Sequence, residues 1–176
     1  METSRFVLRP PAGDDIIHLA EIDTDPAVMQ YIHSGAVIPI EAGRAKWEAY
    51  LAKYGAESDF GLWIIEDKAN GDFLGWAILQ NLDGGEEIEV GYRLPVRAWG
   101  RGVATEAARE LLRYGFEDLE LGEIAAVTKP ENRGSRHVLE KIGMRFVGLR
   151  DTYYKQTTAY YTLRAHEWRE IRSAKA

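Results

Sequence analysis

Apolar and polar positions along the chain change their period near residue 60. Before that point the spacing is mostly helical. Arg5-Phe6-Val7-Leu8-Arg9 is the exception: it alternates, reads as a first strand and ends at Pro10-Pro11. Asp14-Asp15 opens a helix with Ile16, Ile17, Leu19, Ala20 and Ile22 on its apolar face. Asp25-Pro26 starts a short helical turn toward Tyr31, and 33–39 reads as a loop. Ala45, Trp47, Tyr50, Leu51 and Tyr54 recur at helical spacing, which predicts a helix over 40–54 stopped by Gly55. From residue 60 the pattern becomes that of strands. Segments 60–66, 73–82 and 86–93 are joined by the turns Asn70-Gly71 and Asp83-Gly84-Gly85, an antiparallel meander.

Helices and strands then alternate. Ala104, Ala107, Ala108, Leu111 and Leu112 form the apolar side of a helix over 102–116. A strand over 123–128 follows, then a helix over 132–142 that Gly143 ends as a left-handed cap. Strands over 144–154 and 158–163 and a terminal helix over 164–172 complete the reading. The class is α/β (α+β) in a single domain spanning 1–176, with no internal repeat or low-complexity tract.

Composition narrows the chemistry. The chain of 176 residues contains no cysteine, which excludes a thiol nucleophile and any Cys-based metal site. The four histidines (His18, His33, His137, His166) are scattered, so no metal site is expected. A formal charge of -6 argues against general nucleic-acid binding. No apolar run reaches the length of a membrane span, and no apolar signal segment follows Met1-Glu2-Thr3-Ser4-Arg5. A cytoplasmic protein is expected.

The join between the third meander strand and the next helix carries the strongest chemical signal: Arg93-Leu94-Pro95-Val96-Arg97-Ala98-Trp99-Gly100-Arg101-Gly102-Val103-Ala104-Thr105. Two glycines flank one residue where a helix begins. Glycine lets backbone N–H groups approach a ligand closely. The first N–H groups of a helix lack internal partners, and the helix dipole favours an anion there. Arg93, Arg97 and Arg101 add positive charge, with no acidic residue among them. The Gly-Lys-Ser/Thr of a P-loop is missing. So are the third glycine and the following acid of a dinucleotide fingerprint, since Thr105 and Thr128-Lys129 occupy those positions. The turn reads as a diphosphate seat of another kind.

These residues resemble the GNAT N-acetyltransferase superfamily, marked by Arg/Gln-x-x-Gly-x-Gly/Ala opening a helix after a central strand. Arg97-x-x-Gly100-x-Gly102 matches that motif. The RimJ/RimL ribosomal-protein N-acetyltransferase branch is more similar still, through Glu89-Val90-Gly91-Tyr92, Trp99-Gly100-Arg101-Gly102 and Ala104-Thr105-Glu106-Ala107. Its Asn-x-x-Ser helix is matched by Asn132-x-x-Ser135, running on to Val138-Leu139-Glu140-Lys141-Ile142-Gly143-Met144. The resemblance covers about residues 5–168. It implies a mixed, mostly antiparallel sheet of about seven strands, flanked by helices and splayed between the fourth and fifth strands. It also implies acetyl-CoA as donor, wedged in the splay. Pantetheine would pair with the backbone around Tyr92, Arg93 and Leu94. Pyrophosphate would take the N–H groups of Gly100, Arg101, Gly102, Val103 and Ala104, beside Arg97 and Trp99. Asn132 and Ser135 would face the pantetheine arm, and a backbone N–H near 90–92 would serve the oxyanion. No metal is implied.

Acetyl transfer needs a neutral amine, a stabilised oxyanion and a departing thiolate. Glu87 and Glu89 lie two apart on one strand and share a face. Either could draw in a cationic amine and take its proton; the alternative is a solvated or ion-paired strand face. Many superfamily members carry a tyrosine acid seven residues after the Asn, and here that position is Leu139. Ser135 is the nearest hydroxyl, with Tyr153 or Tyr154 as outside candidates, and a CoA thiolate could leave without a dedicated acid. Asp83, Glu86, Glu87 and Glu89 upstream of Arg93, Arg97 and Arg101 would place a cationic amine beside an anionic donor. Tyr31, His33, Trp47, Tyr50, Trp76, Tyr153 and Tyr154 are candidate walls for the acceptor. That acceptor would be a protein N-terminus or a small-molecule amine. Leu139 motivates a rival reading, a non-catalytic acyl-CoA-binding or sensor module. A homodimer is expected by analogy alone.

Overall fold

A computed structural model describes residues 1–53 and 59–174. In chain order its elements are β1 (Phe6–Arg9), α1 (Asp15–Asp23), α2 (Pro26–Met29), α3 (Ile40–Lys53), β2 (Gly61–Asp67), β3 (Phe73–Asn81) and β4 (Ile88–Arg93). These are followed by α4 (Val103–Arg113), β5 (Glu123–Thr128), α5 (Arg133–Lys141), β6 (Arg145–Arg150), β7 (Thr158–Arg164) and α6 (Ala165–Ser173). The strands form one seven-stranded sheet in the order β1-β2-β3-β4-β5-β7-β6. No helix among the described residues is long and apolar enough to cross a membrane.

Alternation along β2, β3 and β4 sends side chains to two main clusters, and a smaller third one gathers Leu82, Ala125, Tyr153 and Tyr160. Leu62, Ile64, Trp76 and Ile78 face α1 and α3, where Leu19, Ala20 and Trp47 complete one cluster. Trp63, Ile65, Ala77, Leu79 and Val90 face the opposite layer, closed by Leu111 and Leu112 of α4, Leu139 of α5 and Trp168 of α6. Strands buried on both faces read as near-continuous apolar runs, as β2 and β3 do.

The expected splay is present. All pairings are antiparallel except β4 with β5, which register at one residue pair only, Glu89 with Ala125. Past that pair β4 remains zipped to β3 as far as Arg93 opposite Trp76, and β5 remains zipped to β7 as far as Thr128 opposite Ala159. The sheet therefore opens between its two parallel neighbours at their C-terminal ends.

Two expectations are corrected. The buried face of α3 is Gly43 and Trp47 with Tyr50 half-buried, while Ala45 is exposed. A Cβ at Gly43 would lie 3.1 Å from that of Ala20, so the glycine lets α3 lie close on α1 and sets which side turns inward. The expected Tyr54 and the stop at Gly55 lie outside the described residues. The strand expected over 144–154 ends at Arg150, paired with Thr158 at the start of β7; beyond it the chain turns back, with Tyr154 and Lys155 in left-handed conformations, each with φ 54°.

Candidate active site

A cavity of about 810 Å³ runs through the sheet opening. One half lies over the α1–α3 face and is walled by Tyr31, His33, Lys46, Trp47, Tyr50, Trp76, Gln80 and Glu89. The other half lies along Tyr92 and Leu94 to the start of α4 and the inward face of α5, where it meets Trp99, Gly100, Gly102, Val103, Ala104, Asn132 and Ser135.

The glycine turn has the geometry its sequence demands. Gly100 and Gly102 have φ of 70° and 78°, the left-handed region where a side chain costs about 1–2 kcal/mol. Gly102 is the N-cap of α4, and no side chain caps that helix. Its first N–H groups are thereby left to an incoming anion. The Trp99 indole Nε1 donates to the Leu94 carbonyl at 2.9 Å, which folds the turn back onto the end of β4.

The three arginines of this stretch do not cluster. Arg97 donates to the Phe73 carbonyl at 2.9 Å, and Arg101 lies 3.4 Å from Asp67. Neither lines the cavity. Strand alternation sends the Arg93 guanidinium to the other face, where it binds the buried Asp23 of α1. Basic residues do reach the cofactor half, but from positions the sequence reading passed over: Lys129 at the end of β5 and Lys141 on α5. Gly134, Val138 and Lys141 recur at the spacing of one helix face, a signal that could have found Lys141.

The turn is braced by the N-terminal segment. The Glu106 carboxylate accepts from Thr3 Oγ1 at 2.6 Å, Ser4 Oγ at 3.0 Å, and Arg5 N at 3.0 Å and Nε at 2.8 Å. Arg5 in turn donates to the Arg101 carbonyl at 3.0 Å. Partial burial raises the Glu106 pKa, but these hydrogen bonds outweigh it and hold the group at about 2, against an ordinary 4.5. The folded pKa is depressed, so the stabilisation is fully present above pH 4.5 and is lost as pH falls toward 2. Glu106→Gln is expected to lower the melting temperature at pH 7, with the difference from the parent protein shrinking between pH 4.5 and 2. A difference that does not change with pH would refute this.

Glu87, expected on the same strand face as Glu89, lies just before β4, and the two carboxylates have separate fates. Glu87 is exposed, lies outside the cavity and accepts from the hydroxyls of Tyr153 and Tyr160. Burial raises its pKa, but those two bonds prevail and the net shift is downward. Tyr153 is thus taken into this cluster, stacked on Tyr160, rather than lining the acceptor half. Glu89 is buried and lines the cavity. It accepts from Tyr154 Oη at 2.5 Å and from Gln80 Nε2 at 3.1 Å, and Gln80 accepts from Tyr50 Oη at 2.7 Å. Burial raises the Glu89 pKa, and the bonds from Tyr154 and Gln80 only partly offset the rise. Burial thus holds the Glu89 carboxyl above its ordinary pKa, which makes it a better proton acceptor than an exposed carboxylate.

On the far side of the opening, Asn132 is the N-cap of α5, its Oδ1 accepting from Ser135 N at 3.0 Å. Ser135 Oγ lies 3.2 Å from Tyr92 Oη, and the same phenol donates to the Ser135 carbonyl at 3.1 Å. Leu139 is buried in the core. The phenol nearest the cofactor half is therefore on β4 rather than on α5. Among the described residues there is no cluster of His, Asp and Glu suited to a metal.

A sheet opened between parallel neighbours, with a glycine turn at one end of the opening and a buried carboxylate at the other, defines an acyl-CoA-dependent transferase. The family described as acetyltransferase (GNAT) domain matches residues 5–145. The chain belongs to that family, whose members are acetyl-CoA-dependent N-acetyltransferases. It is 38% identical to the uncharacterised protein YkkB of Bacillus subtilis over 124 residues, which span 69% of this chain and 70% of that one. Its fold is that of Mycobacterium smegmatis RimJ in complex with CoA-disulfide, with a TM-score of 0.77 and 22% identity over 97% of this chain and 89% of the other. It is also that of Vibrio cholerae spermidine N-acetyltransferase in complex with CoA and spermine, with a TM-score of 0.77 and 18% identity over 94% and 98% of the two chains.

Proposed function

We propose that the chain moves the acetyl group of acetyl-CoA to a primary amine by direct attack within a ternary complex. The observation that carries this is the buried Glu89 carboxylate at the one residue pair where β4 and β5 still meet. Everything donor-like lies on one side of it and everything acceptor-like on the other. Pantetheine would run along Tyr92, Arg93 and Leu94, and the pyrophosphate would rest on the N–H groups over 100–104. Glu89 takes one proton from the ammonium. The amine nitrogen then bonds to the thioester carbon, the C–S bond breaks, and its electron pair leaves on sulfur. The second nitrogen proton is released as the amide forms, and the thiolate can take it up directly or through Ser135. Tyr92 holds the Ser135 hydroxyl in place by the contact at 3.2 Å.

A free-thiol assay with acetyl-CoA and a panel of primary amines, including short peptides with free N-termini, tests the reading. Thiol release that depends on the amine is expected. No release with any amine, and no rise in melting temperature with acetyl-CoA, would overturn it. Gly102→Ala tests the phosphate seat. The left-handed turn would have to be reimposed on binding, at about 1–2 kcal/mol, so CoA affinity should fall about 5- to 30-fold by calorimetry. Unchanged affinity would remove the turn from the site.

A further inference from the structure

The acceptor half of the cavity carries an unusual charge balance. Asp23 is fully buried at the end of α1, and two cations converge on it. Lys46 of α3 reaches it at 2.6 Å, Arg93 of β4 binds its other oxygen, and the Trp47 indole donates to it at 3.0 Å. One carboxylate thus faces two cations, which leaves one positive charge in excess. Both cations line the cavity. Lys46 Nζ lies 4.3 Å from the centre of the Trp47 ring, and the Arg93 guanidinium lies 5.0 Å from that of Trp76.

Among the described residues, Asp23 is the one carboxylate that forms an ion pair with Lys46 or Arg93. Glu89 is the one acidic residue lining the cavity among the described residues. It is engaged by Tyr154 and Gln80. Asp83 is exposed and accepts from the Tyr154 backbone N–H at 2.8 Å. The Arg93 side chain is only 10% exposed, yet its acceptors among the described residues are Asp23 and the Met29 sulfur, and its Nε has no partner. With Asp23 shared between the two, the second cation is Lys46, whose side chain is 41% exposed and open to the cavity. The field of Arg93 and Lys46 reaches His33: burial first, then these two charges, lower its pKa, and Asp23 and Asp83 offset the shift only in part. A polycation entering here would meet two fixed positive charges.

We propose, resting on the transferase reading above, that the acceptor is a primary amine that also carries a carboxylate. The carboxylate docks on Lys46 and Arg93, and the amine lies at Glu89. The spacing suits such a molecule. Lys46 and Tyr50 are neighbours on one face of α3, one turn of about 5.4 Å apart, and Tyr50 leads through Gln80 to Glu89. Glu89 and Arg93 lie on one face of β4 four residues apart, about 13 Å between their Cα atoms, with Gln80 and Trp76 opposite them on β3 and Trp47 and Tyr50 lining the same cavity.

The test uses matched pairs that differ only in the anion: 4-(aminomethyl)benzoate against benzylamine, 6-aminohexanoate against hexylamine, and phenylalanine against phenylalaninamide, with spermidine as the polycation. In the last pair the amide has the less basic amine, so simple reactivity favours the member without the charge. The carboxylate member of at least one pair is expected to show a kcat/KM about 10-fold or more above its partner and above spermidine, the size of one charge-assisted hydrogen bond. That preference should collapse in Lys46→Gln, which leaves Asp23 still paired with Arg93. Equal or faster transfer to the members without a carboxylate, or to spermidine, overturns the proposal and leaves the transferase reading standing. If no member is turned over, the melting temperature of the CoA-bound protein decides. A rise with 4-(aminomethyl)benzoate but not benzylamine, lost in Lys46→Gln, supports the proposal, and no rise overturns it. Absence of any shift with acetyl-CoA itself would mark failure of the transferase reading instead.

Discussion

Glu89→Gln is expected to lower kcat/KM for acetyl transfer about 10²-fold or more, the usual contribution of a positioned general base, while leaving CoA affinity unchanged. Glutamine keeps the volume and an oxygen that can still accept from Tyr154 and Gln80, so the fold should survive. The pH profile gives a sharper reading. A base works only when ionised, and burial holds the Glu89 pKa above the ordinary 4.5. Activity should therefore fall on the acid side through a limb that lies above 4.5, and the limb should vanish in Glu89→Gln. Tyr154→Phe supplies the sign test. The phenol hydrogen bond lowers the Glu89 pKa, so removing it should move the limb to higher pH without abolishing activity. A limb that stays in Glu89→Gln would assign the titration to another group. Glu87→Gln should change the rate little, because Glu87 lies outside the cavity among Tyr153 and Tyr160.

These contrasts show how much of the site can be read from sequence. Features set by neighbours in the chain were legible. The glycine turn that opens a helix and the left-handed cap at Gly143 each depend on residues within a few positions, whereas the capping of α5 by Asn132 was not read. The meander followed from the same local signals, and the splay between the fourth and fifth strands from the family resemblance, but the order β5-β7-β6 was not read from the sequence. Pairings between distant segments were not legible. Arg93 reads as part of a basic run, yet it sits on the strand face opposite the cofactor half and meets Asp23, 70 residues earlier. Glu87 and Glu89 read alike, and what separates them is Tyr153 and Tyr154, brought over from the far side of β6 by a loop with left-handed residues. Alternation along β4 contained part of this information, since Glu89, Gly91 and Arg93 must share a face. A Cβ at Gly91 would come within 2.9 Å of Ile78, on the α1–α3 side. The identity of the opposing wall was not contained in it.

Asp23→Asn should have the largest effect on stability. Asp23 has no exposed surface, and it joins three elements: its own helix α1, α3 through Lys46 and Trp47, and β4 through Arg93. Asparagine keeps the shape and removes the charge. Lys46 can then turn to water, since its side chain is already 41% exposed, but Arg93 at 10% cannot. A buried cation that loses its counter-ion costs about 3–5 kcal/mol, which in a chain of this size lowers the melting temperature by about 6–20 °C. The double variant Asp23→Asn, Arg93→Met separates this cost from the general loss of contacts. With the buried charge gone as well, much of the stability should return, because replacing a buried pair by apolar groups is often near neutral. A double variant as unstable as the sum of its parts would mean that the pair contributes shape rather than charge. Through Asp23 the end of β4, where the donor is proposed to lie, is tied to Lys46 and Trp47 of α3, which line the proposed acceptor half. The recovered double variant should therefore still bind CoA, yet show a raised KM for any amine that carries a carboxylate.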